Sequence, residues 1–356
     1  MEDYALLREA VGVAGIQRAN IPNLRDDYIS VRVVAVALNP TDHTTLDAPG
    51  DNGTIVGCVY ASVVEEVGSA VMKPFKKGDR IAGFAHGGND ANPENGALAR
   101  YIAVNGDIQM HIPDAVSFEE AATVGIGVGT AGYALYKVLG LPLPPVSPAG
   151  PEKTILIYGG STATGTPAIQ LAKLSGWKVI TTSSPQHFDL LRSLGADIVL
   201  DYRVQDIGQQ INTATGNALA RLLDCVTTPS IADMCAQALS TRSDVGEKLY
   251  CNLLGPEVER PDVKGIFFLV YSSSGEAYTF EGSAFSAAPE DFEFAKKWYG
   301  IAEKLWMERN WKAHPHRIEK GGLAGLEDGM KKMRNGEIRG VKLVFRVEDT
   351  DWPCEG

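Results

Sequence analysis

The run Tyr158-Gly159-Gly160-Ser161-Thr162-Ala163-Thr164-Gly165 follows an apolar stretch, Thr154–Ile157, and leads into a helix-like segment that continues to Leu174. A glycine-rich turn between a strand and a helix lets the main chain approach a pyrophosphate, and the helix N-terminus supplies partial positive charge to hold it. Gly160, Ala163 and Gly165 form a shifted, partly alanine version of the G-x-G-x-x-G spacing. Trp177–Thr182 reads as the next strand, completing the βαβ unit that a dinucleotide needs. Ser161, Thr162, Ala163 and Thr164 are therefore candidate pyrophosphate residues, and the chemistry expected is hydride transfer with a nicotinamide cofactor. An NAD site puts a carboxylate at the end of the second strand to grip the ribose 2′-hydroxyl. Here that strand runs out into Ser183-Ser184-Pro185-Gln186-His187, with no acid before Asp189. Ser184, Pro185, Gln186 and His187 suit a 2′-phosphate at a helix start, so NADPH is expected; a bare helix cap is the alternative.

The elements that position these residues fall into three blocks. From Tyr28 to about Asn105 the pattern is β-rich, with alternating runs at Ile29–Leu38, Val59–Val71 and Arg80–Phe84 punctuated by Gly57, Gly68 and Gly78-Asp79. Ser117 with Glu120 three residues on has the capping-box spacing of a helix start. Helices then alternate with strands: Phe188–Leu194, Asp197–Leu200, Leu219–Val226, Ser230–Leu239 and Lys248–Leu253. That repetition predicts a doubly wound parallel sheet, hence an α/β fold. Leu141–Pro151 reads as a proline-rich surface loop, Phe292–Glu308 as a long amphipathic helix and Val341–Phe345 as a last strand. The expected division is a β-rich domain from residues 1–123 and 286–356, with a dinucleotide-binding domain, 124–285, inserted.

Composition bounds the partners. The chain has 356 residues, 44% of them hydrophobic, enough for two cores. Lys and Arg number 33 against 44 Asp and Glu, giving a net charge of −11 and no electrostatic reason to bind nucleic acid or an anionic membrane. No apolar run reaches the roughly 18 residues of a membrane span. Met1–Tyr4 lacks a basic, then apolar, signal sequence, and Cys58, Cys225, Cys235, Cys251 and Cys354 are odd in number with no C-x-x-C pair. Reduced thiols in a cytoplasmic protein are the expectation.

Leu38-Asn39-Pro40-Thr41-Asp42, Gly78-Asp79-Arg80-Ile81-Ala82-Gly83-Phe84, Gly96–Tyr101 and the Ser117–Ala122 helix start resemble the medium-chain dehydrogenase/reductase superfamily in order and spacing. Gly140-Leu141-Pro142-Leu143-Pro144, Tyr158–Thr164, Ser184–Leu190 and Asp201-Tyr202-Arg203 further resemble the fungal trans-acting enoyl reductases that serve polyketide synthases, the lovastatin type among them. The resemblance implies a GroES-like domain carrying an inserted Rossmann domain. It implies an NADPH-dependent reduction of an α,β-unsaturated acyl thioester borne by a polyketide synthase or its acyl carrier domain. A catalytic zinc of the superfamily would need a cysteine at Asn39 and a His-Glu pair after Gly57, where this chain has Cys58-Val59. A structural zinc would need four close cysteines near residues 85–100, and that stretch has none. His43 and Cys58 alone do not make a tetrahedral site, so no metal is expected.

The same resemblance places Thr41, Asp42, His43 and Thr44 near the nicotinamide or its ribose, Tyr202 at the adenine, and Leu254, Gly255, Gly340 and Val341 around the cofactor. It places Thr130, Ala131 and Gly132, with Tyr133, Ala134, Leu135, Tyr136 and Lys137 behind them, along the acyl and nicotinamide pocket. Leu269, Val270, Tyr271 and Ser272 would border the substrate. Thr130, His43 and Tyr60 are the catalytic candidates: the reaction needs a donor to the enolate oxygen and a proton at the α-carbon. Tyr60, after Gly57, faces the cleft in the superfamily, yet a buried tyrosine with a satisfied hydroxyl fits it equally. Asp42 could instead orient the Asn39–Thr44 turn. The related motif reads Asn-Pro-Ser-Asp-Thr-Lys; Thr44 replaces its lysine, whose role is either absent or taken by His43. His86, His111, His314 and His316 lack a sequence cluster and read as surface or core residues. Lys296-Lys297, Lys304 and Arg309 would suit an acidic carrier domain or simply a solvated face. A free-standing quinone or enone reductase and a non-catalytic NADPH-binding protein remain alternatives, as do monomer and homodimer.

Overall fold

Alternating apolar residues in Tyr28–Ala37 bury Ile29, Val31 and Val33 while Arg32 faces outward, as a strand with one face on a core requires. This strand lies at the centre of a seven-stranded sheet in the computed structural model, which describes residues 2–146, 153–256 and 258–353. Cys354 and residues 147–151 of the expected Leu141–Pro151 loop lie outside the described residues. Across the sheet the order is His316–Glu319, Lys342–Arg346, Tyr28–Ala37, Val59–Val67, Arg80–Phe84 and Met110–His111, with Tyr101–Asn105 also paired to Tyr28–Ala37. Every pairing but the first is antiparallel. Tyr60, Ile81, Ile102, Leu343 and Phe345 complete its core.

The chain divides into two compact units: residues up to Ile126 together with those from Tyr271 onward, and Gly127–Val270. The first is the GroES-like unit, and it includes Tyr271–Phe285 through the stacking of Tyr271 and Tyr278 around His86. It also contains an antiparallel hairpin, Glu2–Ala10 with Val13–Asn20, that sequence patterning did not reveal. Charged Arg8 occupies an inward position there, 2% exposed, and breaks the apolar alternation. The helix Pro289–Met307 buries Trp298, Tyr299, Leu305 and Trp306 on one face.

Gly127–Val270 is the Rossmann unit. Its six strands are all parallel, in the order Ile198–Asp201, Lys178–Ser183, Thr154–Tyr158, Arg221–Asp224, Lys248–Asn252, Val263–Phe267. The order reverses direction beside Thr154–Tyr158, so the glycine-rich run leaves the sheet at its switch point, where ligands bind in doubly wound folds. Among the described residues no helix is long and apolar enough to cross a membrane.

Candidate functional site

In the Rossmann unit the glycine-rich run is a closed turn. Gly159 has φ +81°, a left-handed conformation that glycine adopts without strain. Its amide donates to Thr182 Oγ1 at 3.1 Å and that of Gly160 donates to Thr182 O at 2.9 Å, tying the turn to the next strand. Thr162 Oγ1 donates to Gly159 O at 2.8 Å and accepts from the Gly165 amide at 2.9 Å, which fixes the start of the helix Gly165–Leu174. A Cβ at Gly165 would lie 2.4 Å from Gly159 O, so the helix can begin this close to the strand only with glycine there. The amides of Ser161, Ala163 and Thr164 take no part in these bonds, and the four side chains Ser161–Thr164 are half-buried. A backbone cradle of this kind at the head of a helix fits a dinucleotide pyrophosphate.

Ser183 Oγ donates to Ser161 Oγ at 3.0 Å, linking the cradle to the end of the second strand. Ser184 then opens the short 3₁₀ turn Pro185–His187, in which Pro185 and Gln186 are exposed and Gln186 Nε2 lies 3.1 Å from His187 Nε2. Asp189 is held by Arg192 at 3.3 Å. Tyr202 is exposed beside the Asp201–Arg203 ion pair. Leu254 is exposed and the Gly255 amide donates to Asn252 Oδ1 at 2.7 Å.

Thr130, Ala131 and Gly132 close the helix Gly125–Gly132, and Tyr133–Val138 continues it as a π-helical stretch, a widening of the turn common near functional sites. Ala131, Ala134 and Leu135 have no exposed surface. Tyr133 stacks on Phe268 at 4.6 Å with Lys137 Nζ 5.0 Å from its ring. The Tyr136 hydroxyl donates to Leu171 O at 3.2 Å. Leu269 is half-buried and Val270 buried.

The GroES-like unit brings together residues far apart in sequence. Asn39 caps the helix Pro40–Asp47: its amide donates to Asp42 Oδ2 at 2.7 Å, and its Nδ2 donates to Ala37 O at 3.1 Å. Its Oδ1 accepts from Lys342 Nζ, the first residue of the strand Lys342–Arg346. Lys342 is 4% exposed, and burial lowers its pKa to about 8 against the opposing pull of Cys58 and Asp42. Burial raises the Asp42 carboxyl, while bonds from Asn39 and the Cys58 thiol work against the rise. Burial likewise pushes Cys58 far up, so it remains a thiol. Around the start of this helix the chain thus gathers a buried amide, acid, thiol and amine. Among the described residues no group of three His, Cys, Asp or Glu side chains is placed to hold a metal ion.

Thr41 Oγ1 lies 3.0 Å from Tyr271 Oη, and Cys58 is within hydrogen-bonding reach of the same phenol. His43 turns the other way: its Nδ1 is 3.6 Å from Asp47 Oδ2, itself clamped by Arg334. The Thr44 hydroxyl donates along its own helix to Thr41 O at 3.5 Å. Tyr60 is fully enclosed, and its hydroxyl donates to Gln109 Oε1 at 2.7 Å. Gly340 adopts φ +68° just ahead of half-buried Val341, and Ser272 is half-buried beside Tyr271. His111 was expected to lack partners; its ring is instead held between Glu303 Oε1 at 2.5 Å and Asp79 Oδ2 at 3.3 Å. Lys342, Gln109 and the His86–Tyr271 stack were not singled out from sequence. Lys342 sits inside a strand pattern, and its bond to Asn39 spans 303 residues, beyond any spacing argument.

Residues 25–114 match the alcohol dehydrogenase GroES-like domain, and residues 163–246 match the family described as zinc-binding dehydrogenase. The chain is 41% identical over 345 residues to the trans-enoyl reductase ACTTS2 of Alternaria alternata, covering 97% of this chain and 98% of that protein. It is 50% identical over 271 residues to the trans-enoyl reductase TOXD of Cochliobolus carbonum, covering 76% and 89%. Its fold matches the solved CurK enoyl reductase with a TM-score of 0.73 at 19% identity, over 96% of this chain and 98% of that one.

Proposed function

Because this chain belongs to the trans-enoyl reductase family of the medium-chain dehydrogenase/reductase superfamily, we propose that it reduces the carbon–carbon double bond of an α,β-unsaturated acyl thioester, using NADPH, in trans to a polyketide synthase. The observation that carries the reading is the Gly159–Gly165 cradle at the switch point of a parallel sheet, in a chain nearly full-length similar to named trans-enoyl reductases. When bound, the nicotinamide supplies a hydride to the β-carbon. The chain's residues bind, orient and protonate.

Ser161, Thr162, Ala163 and Thr164 hold the pyrophosphate, and Ser184, Pro185, Gln186 and His187 take the 2′-phosphate. Support for the phosphate comes from the lack of a carboxylate along Ser184–Phe188 and from the exposed turn there, where Asp189 is already paired with Arg192. Tyr202 offers its exposed ring to the adenine. Thr41, Asp42, His43 and Thr44, with Leu254, Gly255, Gly340 and Val341, border the rest of the cofactor. Asp42 does so as a cap that fixes the helix start, and His43 faces Asp47. Thr130 donates to the thioester oxygen as negative charge develops there. Ala131, Gly132, Tyr133, Ala134, Leu135, Tyr136 and Lys137 shape and back the acyl wall, joined by Leu269, Val270, Tyr271 and Ser272. Tyr60 we assign to support of the sheet, since its hydroxyl is already committed to Gln109. The partner proposed is the synthase or its acyl carrier domain, which presents the thioester.

NADPH oxidation by purified protein with crotonyl pantetheine tests this, with NADH and a simple quinone in parallel. Thioester turnover preferring NADPH is the expected result. Turnover of the quinone alone would move the chain to the quinone reductases, and binding without turnover would make it a non-catalytic partner.

A further inference from the structure

Reduction of the double bond leaves one proton to be delivered to the α-carbon, and Tyr60, one hydroxyl that sequence pointed to, already donates to Gln109. We infer that Thr41 and Tyr271 form a two-hydroxyl relay that delivers this proton, Thr41 at the reacting end and Tyr271 behind it. The inference rests on the enoyl reductase reading and adds to it the source of the proton.

Thr41 Oγ1 also lies 3.5 Å from Thr45 Oγ1, and the Cys58 thiol is within reach of the phenol, but the Thr41–Tyr271 contact is the short hydroxyl–hydroxyl one of this cluster. Tyr60 gives its hydroxyl to Gln109, Tyr299 to Gly125 O, and Tyr28 to Glu276. Tyr271 instead meets another hydroxyl, Thr41 Oγ1, at 3.0 Å. Tyr271 is 4% exposed, whereas Thr41 is only half-buried, so the threonine is the open end of the pair. Thr41 is the second residue of the helix Pro40–Asp47, and the Asn39–Asp42 cap and the Lys342–Asn39 bond fix the backbone that carries it.

The phenol ring is clamped as well. His86 lies parallel to it at 3.6 Å with 5° between the planes, and Tyr278 and Phe280 close the edges at 6.3 and 5.6 Å. Burial drops the His86 pKa to about 3, so the stacked ring is neutral, and its buried Nε2 has no hydrogen-bond partner among the described residues. His86 is therefore a positioning residue, a flat plate that holds the Tyr271 hydroxyl toward Thr41. The Cys58 thiol beside the phenol stays protonated and does not compete as a base.

The step balances without another reagent. The two electrons and one hydrogen arriving at the β-carbon come from the nicotinamide of the reading above. As the α C–H bond forms, the Thr41 O–H bond breaks, and the Tyr271 proton passes to Thr41 Oγ1. After product leaves, water returns a proton along the same path, through Thr41 to the phenolate. One water-derived proton is consumed per turnover.

The test uses the full chain with the pantetheine thioester of 2-methylcrotonate, whose α-carbon becomes a stereocentre, and NADPH in D₂O. Wild type is expected to give a single α configuration carrying one deuterium. Thr41→Val is expected to lower kcat about 100-fold, the scale of a lost general acid, and to scramble the α configuration while leaving the β-carbon unaffected. Tyr271→Phe is expected to lower kcat and to enlarge the solvent isotope effect on it, because proton delivery becomes the slower step, with NADPH affinity and unfolding temperature at wild-type values. Unchanged kcat and α configuration in both variants would overturn the relay. So would a loss of kcat with the α configuration intact, or one that tracks lost NADPH binding or folding. Wild-type protein that does not reduce the thioester at all would overturn the enoyl reductase reading itself.

Discussion

A lysine ammonium taken out of water must be held by acceptors or it loses its proton, and Lys342 shows both pressures. Asn39 Oδ1 accepts from it, Asp42 attracts it, and burial still lowers its pKa to about 8. Lys342→Met keeps the length and apolar stem but strands Asn39 Oδ1 and the Asp42 carboxyl in the core. The expected cost is about 3 kcal/mol of unfolding free energy, as for other broken buried pairs, read by urea denaturation at pH 7. An unchanged urea midpoint would mean that Asn39 Oδ1 and the Asp42 carboxyl do not depend on the amine. The sign of the pH effect also follows. Between about 8 and the ordinary lysine value of 10.5, the unfolded chain binds more protons than the folded one, so this group adds stability as pH rises through that window. The wild-type gain over that range should exceed that of Lys342→Met, and equal slopes would contradict a charged, buried amine at neutral pH. Nothing in the local pattern Val341-Lys342-Leu343-Val344-Phe345 announces any of this, because the lysine's partners come from the other end of the chain.

At the level of elements, strand, turn and helix from Thr154 to Leu174 were legible because the chemistry of the turn is local: glycines where the chain must bend or approach closely, and apolar residues on either side. Five of the six parallel strands were legible for a similar reason, each being a short, largely apolar run close to a helix, whereas the edge strand Val263–Phe267, mostly exposed, was not. The helix Pro40–Asp47 was not, since its threonines and low apolar content favour turns and its stability comes from the Asn39 cap and the packing of Leu46. Gly165→Val tests the local part. Its side chain would collide with Gly159 O, so NADPH affinity should fall by at least tenfold, about 1.4 kcal/mol, in a fluorescence titration; retained affinity would show that the turn does not set the cradle. The helix Pro289–Met307 supplies a second, longer-range case. Its Glu303 binds His111 on the strand Met110–His111 and also Lys73. The bond to Glu303 raises the His111 pKa against the opposing effect of burial, with Asp79 adding to it. A raised folded pKa stabilises fully below the unfolded value of about 6.5 and is lost as pH climbs through the folded value. The unfolding temperature should therefore decline above about pH 6.5 by more in wild type than in Glu303→Gln. Parallel pH profiles for the two proteins would show that the bridge does not couple the helix to the strand.

For the whole molecule, the order in which segments enter the fold has consequences for stability. The GroES-like unit closes only when its two halves meet, since Lys342–Arg346 pairs with Tyr28–Ala37 across some three hundred residues, whereas Gly127–Val270 is one continuous stretch with its own core of Leu156, Ile180, Leu222 and Tyr250. Loop closure costs entropy before such distant pairs can form, so the inserted unit is the one able to form first and to stand apart energetically. A ligand whose phosphates and adenine are held by one unit stabilises that unit most. With NADPH at one hundred times its Kd, binding adds about 2.7 kcal/mol to whatever opens only when the cofactor is released. Hydrogen exchange on the full chain should show that gain in Thr154–Tyr158, Gly165–Leu174 and Lys178–Ser183, with a smaller change in Tyr28–Ala37 and Lys342–Arg346. An equal gain in both sheets would mean that the chain opens as a single cooperative unit, and the continuity of the inserted segment would then govern only how it folds. An unequal one would make the Rossmann unit a separately stabilised module, in which substitutions such as Gly165→Val alter cofactor affinity and local protection together while the Thr41–Tyr271 region keeps its own stability.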